Sequence, residues 1–600
     1  MNYLSCKDAA DKMNITVRRI QQLCKQGKII GAIKDNNTWL VPEDWIVCER
    51  KPVPVGVSDF KNASSNYYYV DKTLLIRDFL DSRPMVSLFT RPRRFGKTLN
   101  MDMLRVFFEK TAEDTSIYFI DKKIWECGDN YVKHQGKYPV IFLTFKDVKC
   151  LNWEDTFLKI KNLISFEFMR HSELENSAEL NNYEKELYHR LASNTAEEVD
   201  YQMGLQVLSL LLHKHYNQKC IVIIDEYDTP IQEGHNLGFY DEVINFMRNF
   251  FSGGLKDNEH LEYGFLTGIL RVAKESIFSG MNNLKVSSIM DESYSEYFGF
   301  TSDEVRQMLK YYGKEDKFEE VCKWYDGYKF GECEIYNPWS VINYISDNCV
   351  PKAFWQSTGS NDIIGEIISH ANGEIIKDLY KLLTKQPLTT YIETSVIYPE
   401  INNSPYSIYS FLLVAGYLKV DKVYPQDDGS YMCDVAIPNK EIVFVYKKEI
   451  LNKMNKNDVA INISQAIFTN DTKKLQELLR NYMLNSVSCF DGTNESFYHG
   501  LLLGLCATLI GKYEVHSNRE SGLGRYDIEL VPLVKNIPCF IFELKYSNDD
   551  KANLNLLAEN ALKQIDDKRY DTELVNMGFK DIVKIGVAFH GKNVVVKSLD

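Results

Sequence analysis

No Cys-x-x-Cys pair occurs among the 13 cysteines of this 600-residue chain, which removes zinc-ribbon and thioredoxin motifs at the outset. The cysteines are odd in number and scattered, so they read as reduced thiols filling cores. The opening MNYLSCKDAADKM lacks the apolar run of a secretory signal, and a cytoplasmic protein is expected. Long hydrophobic runs are missing too. The most apolar helical stretch, FYHGLLLGLCATLIG over 497–511, is too short to cross a bilayer and contains His499, so no membrane partner is expected. Net positive charge is absent as well. A formal charge of −13 argues against a non-specific nucleic-acid coat, though local basic sites survive such an average.

What is present starts with size: 600 residues exceed one hydrophobic core and imply several domains. In residues 1–50, Ser5 can cap a helix from Cys6 to Met13, and Thr16 a second one up to Gly27. The stretch IIGAIKDNNTWLVPEDW then reads as a two-stranded wing. Two short helices about a tight turn, followed by a wing, form a winged helix-turn-helix pattern. Arg18, Arg19 and Lys25 fall on the second helix, and with Thr16 they are the candidate DNA contacts. The opening LSCKDAADKM (4–13) resembles the excisionase-like and MerR-like DNA-binding domains. A small protein-protein module on the same fold is the competing interpretation.

After the linker KPVPVGVSDF, apolar runs MVSLF, YPVIFLTF, CIVIID and EYGFLTG alternate with amphipathic helical segments, the pattern of an α/β domain with a parallel sheet. The first run leads into TRPRRFGKT (90–98). A P-loop presents backbone N–H groups, a lysine and a hydroxyl to phosphates and Mg²⁺, which points to Gly96, Lys97 and Thr98. Arg91 replaces the first glycine of the general pattern GxxxxGK[ST]; Arg93 and Arg94 add charges able to meet phosphate. The third run ends in Asp225-Glu226, where Asp225 would hold Mg²⁺ and Glu226 would orient or deprotonate the attacking water. Thr267, at the end of the fourth run, occupies a sensor position, and Arg271 follows as a phosphate contact or a surface charge.

Residues 53 to about 345 resemble the AAA-ATPase-like family found beside PD-(D/E)xK nucleases in bacterial proteins. The resemblance rests on YYYVDKTLLI (67–76), RPRRFGKT (91–98), IIDEYDTPI (223–231), TGILRVAKESIFSGMNNL (267–284) and WYDGYKFGECEIYNPWSV (324–341). The family writes its loop with this arginine, so Arg91 departs from the general P-loop and not from the family. The resemblance implies ATP binding by Lys97 and Thr98 and an Mg²⁺ role for Asp225.

The C-terminal stretches GRYDIEL (524–530) and CFIFELKY (539–546) have the form of a PD-(D/E)xK nuclease core. Glu543 and Lys545 lie two apart on one strand, hence on one face. Asp527 and Glu543 would bind Mg²⁺ or Mn²⁺ opposite a scissile phosphate, with Lys545 positioning or activating water. Glu495 could add a metal ligand, Gln564 could contact the nucleophile or the backbone, and Glu529 reads as a third acid or a rim charge. A solvated hairpin edge would also carry Glu-x-Lys, but not in an otherwise apolar strand, where unpaired charge is costly.

The expected architecture is multidomain α/β: winged helix-turn-helix (1–50), P-loop domain with parallel sheet (53–300), helical lid and connector (301–484), and restriction-endonuclease-like α/β core (485–600). The expected activity is a nucleotide-binding protein, an ATPase, coupled to a metal-dependent nuclease acting on DNA. Its cofactors would be ATP and Mg²⁺. The alternative is a nucleotide-switched DNA-binding regulator or scaffold without cleavage, in which ATP changes the state of a homo-oligomer.

Overall fold

The computed structural model describes residues 3–13, 16–25, 29, 31–35, 38–43, 50–271, 277–278, 281–355, 373–383, 385–394, 398–401, 404–426, 431–455, 459–486, 495–506, 509, 512–533, 537–549 and 551–599. The chain divides into two compact units, Met1–Ser357 with Thr389–Ile442, and Thr358–Leu388 with Val443–Asp600.

The first unit opens with strand β1 (Tyr3–Ser5) and helices Cys6–Met13 and Val17–Lys25. Strands β2 (Ile33–Asp35) and β3 (Thr38–Pro42) then form an antiparallel hairpin, and β1 joins the other edge of β3. Ser5 caps its helix as the sequence suggests, with its Oγ accepting from Asp8 N–H at 3.1 Å. Cys6, Ala9, Ala10, Ile20, Cys24 and Val41 close a small core between helices and sheet. The following linker is fastened: the Arg50 guanidinium donates to Tyr312 O at 2.8 Å, and Lys51 N–H donates to Tyr311 Oη at 2.8 Å.

A five-stranded parallel sheet comes next. Its strands are β4 (Val86–Thr90), β5 (Val140–Thr144), β6 (Cys220–Asp225), β7 (Leu261–Gly268) and β8 (Leu284–Ser287), in the order β5-β6-β7-β4-β8. Every residue of β4 and β6 is buried, as expected of strands covered by helices on both faces. The expected apolar runs therefore become strands, and β8 extends the sheet at its edge. Because β7 lies between β6 and β4, the end of the Thr267 strand sits between the Asp225 strand and the strand that leads into residues 91–96.

Beyond residue 301 the helical expectation captures Ser302–Tyr312, Phe318–Tyr325 and Pro338–Ser346, and the structure adds strands. Strands β9 (Tyr328–Phe330) and β10 (Cys333–Ile335) make a hairpin. Strands β11 (Leu388–Ile392), β12 (Lys419–Pro425) and β13 (Tyr431–Ala436) make a three-stranded sheet in the order β11-β13-β12. Residues 301–357 and 389–442 fold into the first unit and residues 443–484 into the second.

The second unit centres on a mixed sheet in the order β14-β17-β18-β19-β20. Its strands are β14 (Tyr513–Ser517), β17 (Ile528–Pro532), β18 (Cys539–Tyr546), β19 (Ile582–His590) and β20 (Asn593–Leu599), with a small hairpin of β15 (Glu520–Ser521) and β16 (Gly524–Arg525). β18 and β19 run parallel and the other neighbours antiparallel. One face, with Phe540, Phe542 and Leu544, packs in a core with Leu475, Leu479, Tyr498 and Leu502. The other, with Cys539 and Ile541, packs with Leu562, Ile565 and Tyr570.

Candidate functional site

The strand β4 delivers residues 91–96 to the N-terminus of helix Lys97–Phe108, whose cap Gly96 has φ +81°. Arg91 points away from that N-terminus. It is fully buried, donates to Thr90 O (2.9 Å), Ser287 O (2.7 Å) and Ser287 Oγ (3.1 Å), and lies over the rings of Phe298 and Phe330. Burial pushes its guanidinium down to about 9, still charged at neutral pH. The residue replacing the first glycine thus ties the loop to the β8 edge of the sheet. Arg93 donates to Gln232 Oε1 at 2.8 Å. Arg94, at φ +71°, stacks its guanidinium 4.5 Å from the Trp339 ring, and its Nη1 is buried without a hydrogen-bond partner.

The Lys97 ammonium donates to Arg91 O and Pro92 O, both at 2.9 Å, so it is folded onto the loop. Burial lowers its pKa, opposed by Glu226, Asp228 and Asp225. Asp225, fully buried at the end of β6, collects three hydroxyls: Thr98 at 2.9 Å and Thr144 at 3.2 Å on Oδ2, and Thr267 at 2.7 Å on Oδ1. Burial, then the Glu226 charge, raises its pKa, the condition that a bound cation relieves. Thr267 Oγ1 also accepts from Glu226 N–H at 3.2 Å, fixing Glu226 at φ +53°. A cavity of about 310 Å³ opens at this point, lined among others by Tyr68, Tyr69, Arg94, Lys97, Thr98, Glu226 and Trp339.

Thr144 and Asp228 complete the arrangement and escape the sequence analysis. Asp228 accepts from the N–H groups of Ile269 (2.7 Å) and Leu270 (3.1 Å) and so shapes the chain after β7. Both carried a signal: Thr144 is the polar end of an apolar strand, and Asp228 lies within the quoted acidic motif. Arg271 is exposed, and no hydrogen bond or ion pair joins it to the loop among the described residues.

In the second unit, Ile528 lies opposite Phe542, which places Asp527 across from Glu543 on the face that also holds Lys545. Asp527 Oδ2 accepts from Leu544 N–H at 2.7 Å. Glu543, 2% exposed, accepts through Oε1 from Lys545 Nζ at 3.1 Å and from the Gln564 amide. Its Oε2 is buried with no hydrogen-bond partner. Burial first, then Asp527, pushes the Glu543 carboxyl up to about 7. A paired acid with one orphaned oxygen fits a divalent-cation site. Glu495 is exposed at the start of helix Glu495–Cys506 and reaches Glu543 through its charge. Among the described residues no group of three or more His, Cys, Asp or Glu side chains is placed to hold a metal ion, so Asp527 and Glu543 stand as a pair.

Two neighbours were not singled out from sequence. Tyr570 Oη accepts from Gln564 Nε2 at 3.1 Å, steadying the amide that holds Glu543. His499 Nε2 lies 3.1 Å from Asp527 O. Glu529 is no rim charge: it is buried and accepts from Tyr526 Oη at 3.1 Å, with His516 Nδ1 at the same distance. At the N-terminus, Thr16, Arg18 and Lys25 are exposed, Thr16 O closes the first turn by accepting from Ile20 N–H at 3.2 Å, and the Arg19 side chain lies outside the described residues.

Comparison with known proteins agrees with this layout. The chain is 24% identical over 562 residues to a protein of Azotobacter chroococcum mcd 1 described as "Uncharacterized protein in vnfD 5'region", a match covering 90% of this chain and 96% of that protein. Residues 54–278 match the family model described as a predicted AAA-ATPase, and residues 493–599 match that of the PD-(D/E)XK nuclease superfamily. One polypeptide thus carries an AAA-ATPase-like segment and a PD-(D/E)XK nuclease-like segment.

Proposed function

We propose that the protein is an ATP-binding, metal-dependent nuclease acting on DNA, in which nucleotide at the first unit controls cleavage by the second. The observation that carries the reading is Glu543, a nearly buried carboxylate with one unpartnered oxygen, set beside Asp527, Lys545 and Gln564. Asp527 and Glu543 would hold a divalent cation, which supplies Lewis-acid stabilisation of charge on the phosphoryl oxygens. Lys545 holds Glu543 and orients water toward the phosphate, while Gln564 donates to the same carboxylate oxygen, Oε1, and leaves Oε2 open.

At the nucleotide loop, Lys97 exchanges its contacts with the Arg91 and Pro92 carbonyls for phosphate oxygens. Thr98 and Asp225 would hold Mg²⁺, whose charge offsets that of the phosphates. Glu226, anchored through Thr267, orients the attacking water, and Arg94 extends its guanidinium along the cavity wall. The exposed Arg18 and Lys25, with Arg19 and Thr16, support a DNA contact by the N-terminal helix pair.

A cleavage assay over duplex DNA, single-stranded DNA and RNA, with and without Mg²⁺ and ATP, tests this reading. DNA cleavage that needs the metal and changes with ATP is expected. ATP-independent cleavage that is the same in Lys97→Ala would remove the coupling. RNA-restricted cleavage would remove the substrate assignment.

A further inference from the structure

The hairpin β15–β16 ends two residues before Asp527, and its position is over-determined. Gly522 has φ +60°, and a Cβ there would lie 2.1 Å from Arg569 O and 2.4 Å from Lys568 O. Leu523 N–H donates to Lys568 O at 2.7 Å, and Ser521 Oγ donates to Tyr570 O at 2.7 Å. The hairpin is therefore clamped to the end of helix Leu554–Lys568, one turn beyond Gln564. At its tip Leu523 is 71% exposed, a placement that nothing in the packing of this unit requires.

Around that leucine stand Arg519 and Arg525 on the hairpin and Lys568 and Arg569 beneath it, all exposed. Glu520 is paired in register with Arg525, and Asp567 and Glu573 are exposed nearby. Yet among the described residues no carboxylate comes within ion-pair distance, 4.0 Å, of any of the four cations. Unpaired cations on a rigid support bind phosphates sequence-independently, and an apolar side chain held among them is the wedge by which proteins part stacked bases.

We propose that residues 519–526 form a duplex-engaging wedge for the nuclease reaction: Arg519, Arg525, Lys568 and Arg569 hold phosphates flanking the scissile one, and Leu523 inserts against the bases. This rests on the nuclease reading of Asp527 and Glu543. The hydrogen bonds of Ser521 and Leu523 to the helix end, which Gly522 permits by its close approach, set the depth to which Leu523 can enter, and the short connection to Asp527 passes the position of the parted step to the acid pair.

The test uses the full chain carrying Glu543→Ala, so that binding is read without turnover, and fluorescein-labelled DNA duplexes with 2-aminopurine at successive positions in turn. Binding should raise 2-aminopurine fluorescence at one step. Leu523→Ser, a change at an exposed position that leaves the core intact, should abolish that rise and keep the salt dependence of affinity. Arg519→Gln and Arg525→Gln should each lower the slope of log K against log salt by about one. With the catalytic residues restored, Leu523→Ser should cut duplex more slowly and single-stranded DNA at the unaltered rate.

If all three variants bind, unstack and cleave as their parents do, the wedge is overturned while the nuclease reading stands. If the arginine variants lose slope but no position brightens on binding, the insertion of Leu523 is overturned. If the unsubstituted chain with metal neither binds nor cuts any duplex, the wedge and the nuclease reading fall together.

Discussion

Residue by residue, the two sites depend on side chains whose charge is held in place by neighbours. Arg91 is the clearest case, since its residue type departs from the general P-loop pattern and its burial gives the reason. Arg91→Gly, which restores that pattern, strips Ser287 O and Thr90 O of their donor and should destabilise the first unit by about 1–3 kcal/mol, the cost of leaving buried acceptors unpaired. Thermal unfolding with calorimetric ATP titration checks this; a variant as stable as the parent contradicts the assignment. A second case is Glu441, fully buried, whose carboxylate accepts from Trp355 N–H and Ser340 Oγ, both at 2.8 Å. Burial pushes its carboxyl up from 4.5 to about 7. The folded protein then keeps a proton that the unfolded chain releases, so stability falls as pH rises from 4.5 to 7 and is level above. The loss amounts to about 3 kcal/mol. Glu441→Gln should therefore gain stability over wild type at pH 8 and little at pH 4.5, read from unfolding midpoints at the two values.

At the level of elements, the helix Leu554–Lys568 can deliver Gln564 to Glu543 because β19 has a glycine beneath it. A Cβ on Gly586 would lie 2.3 Å from Ala558 O and 3.1 Å from Leu562 N, and Gly586 is the direct register partner of Glu543. Gly586→Ala should push the helix outward, cost about 1–3 kcal/mol of stability as overpacking does, and lower cleavage more than DNA affinity. Unchanged cleavage would show that Gln564 does not need this approach. The elements legible in sequence are those with a strong burial signal: β4, β6 and β18 are apolar because they are covered on both faces, β6 ends at Asp225, and β18 carries Glu543 and Lys545 near its end. The sheet β11-β13-β12 was not legible. Its strand KVDKVYP is buried at Val420 and exposed over the last five residues, so it offers no alternation to read. The direction of Arg91 was not legible for a different reason, because a loop sequence names an arginine without saying which way it points.

On the scale of the whole molecule, the segment matched to the predicted AAA-ATPase contains Lys97, Thr98 and Asp225, and the segment matched to the PD-(D/E)XK superfamily contains Asp527, Glu543 and Lys545. The account predicts that they communicate. Lys97→Ala should abolish ATP binding, measured calorimetrically, and should leave the chain with the cleavage rate of wild type lacking ATP. A variant that still responds to ATP contradicts the role of the loop.

The central claim is that Asp527, Glu543 and Lys545 form a metal-dependent cleaving site, and the most direct measurement is the Mg²⁺-dependent rate of DNA cleavage by purified wild type against Glu543→Ala. The account predicts metal-dependent product from wild type and a rate lower by about 10²-fold or more in the variant, the scale for losing a group that stabilises the reacting phosphate. Equal rates in the two proteins would contradict it.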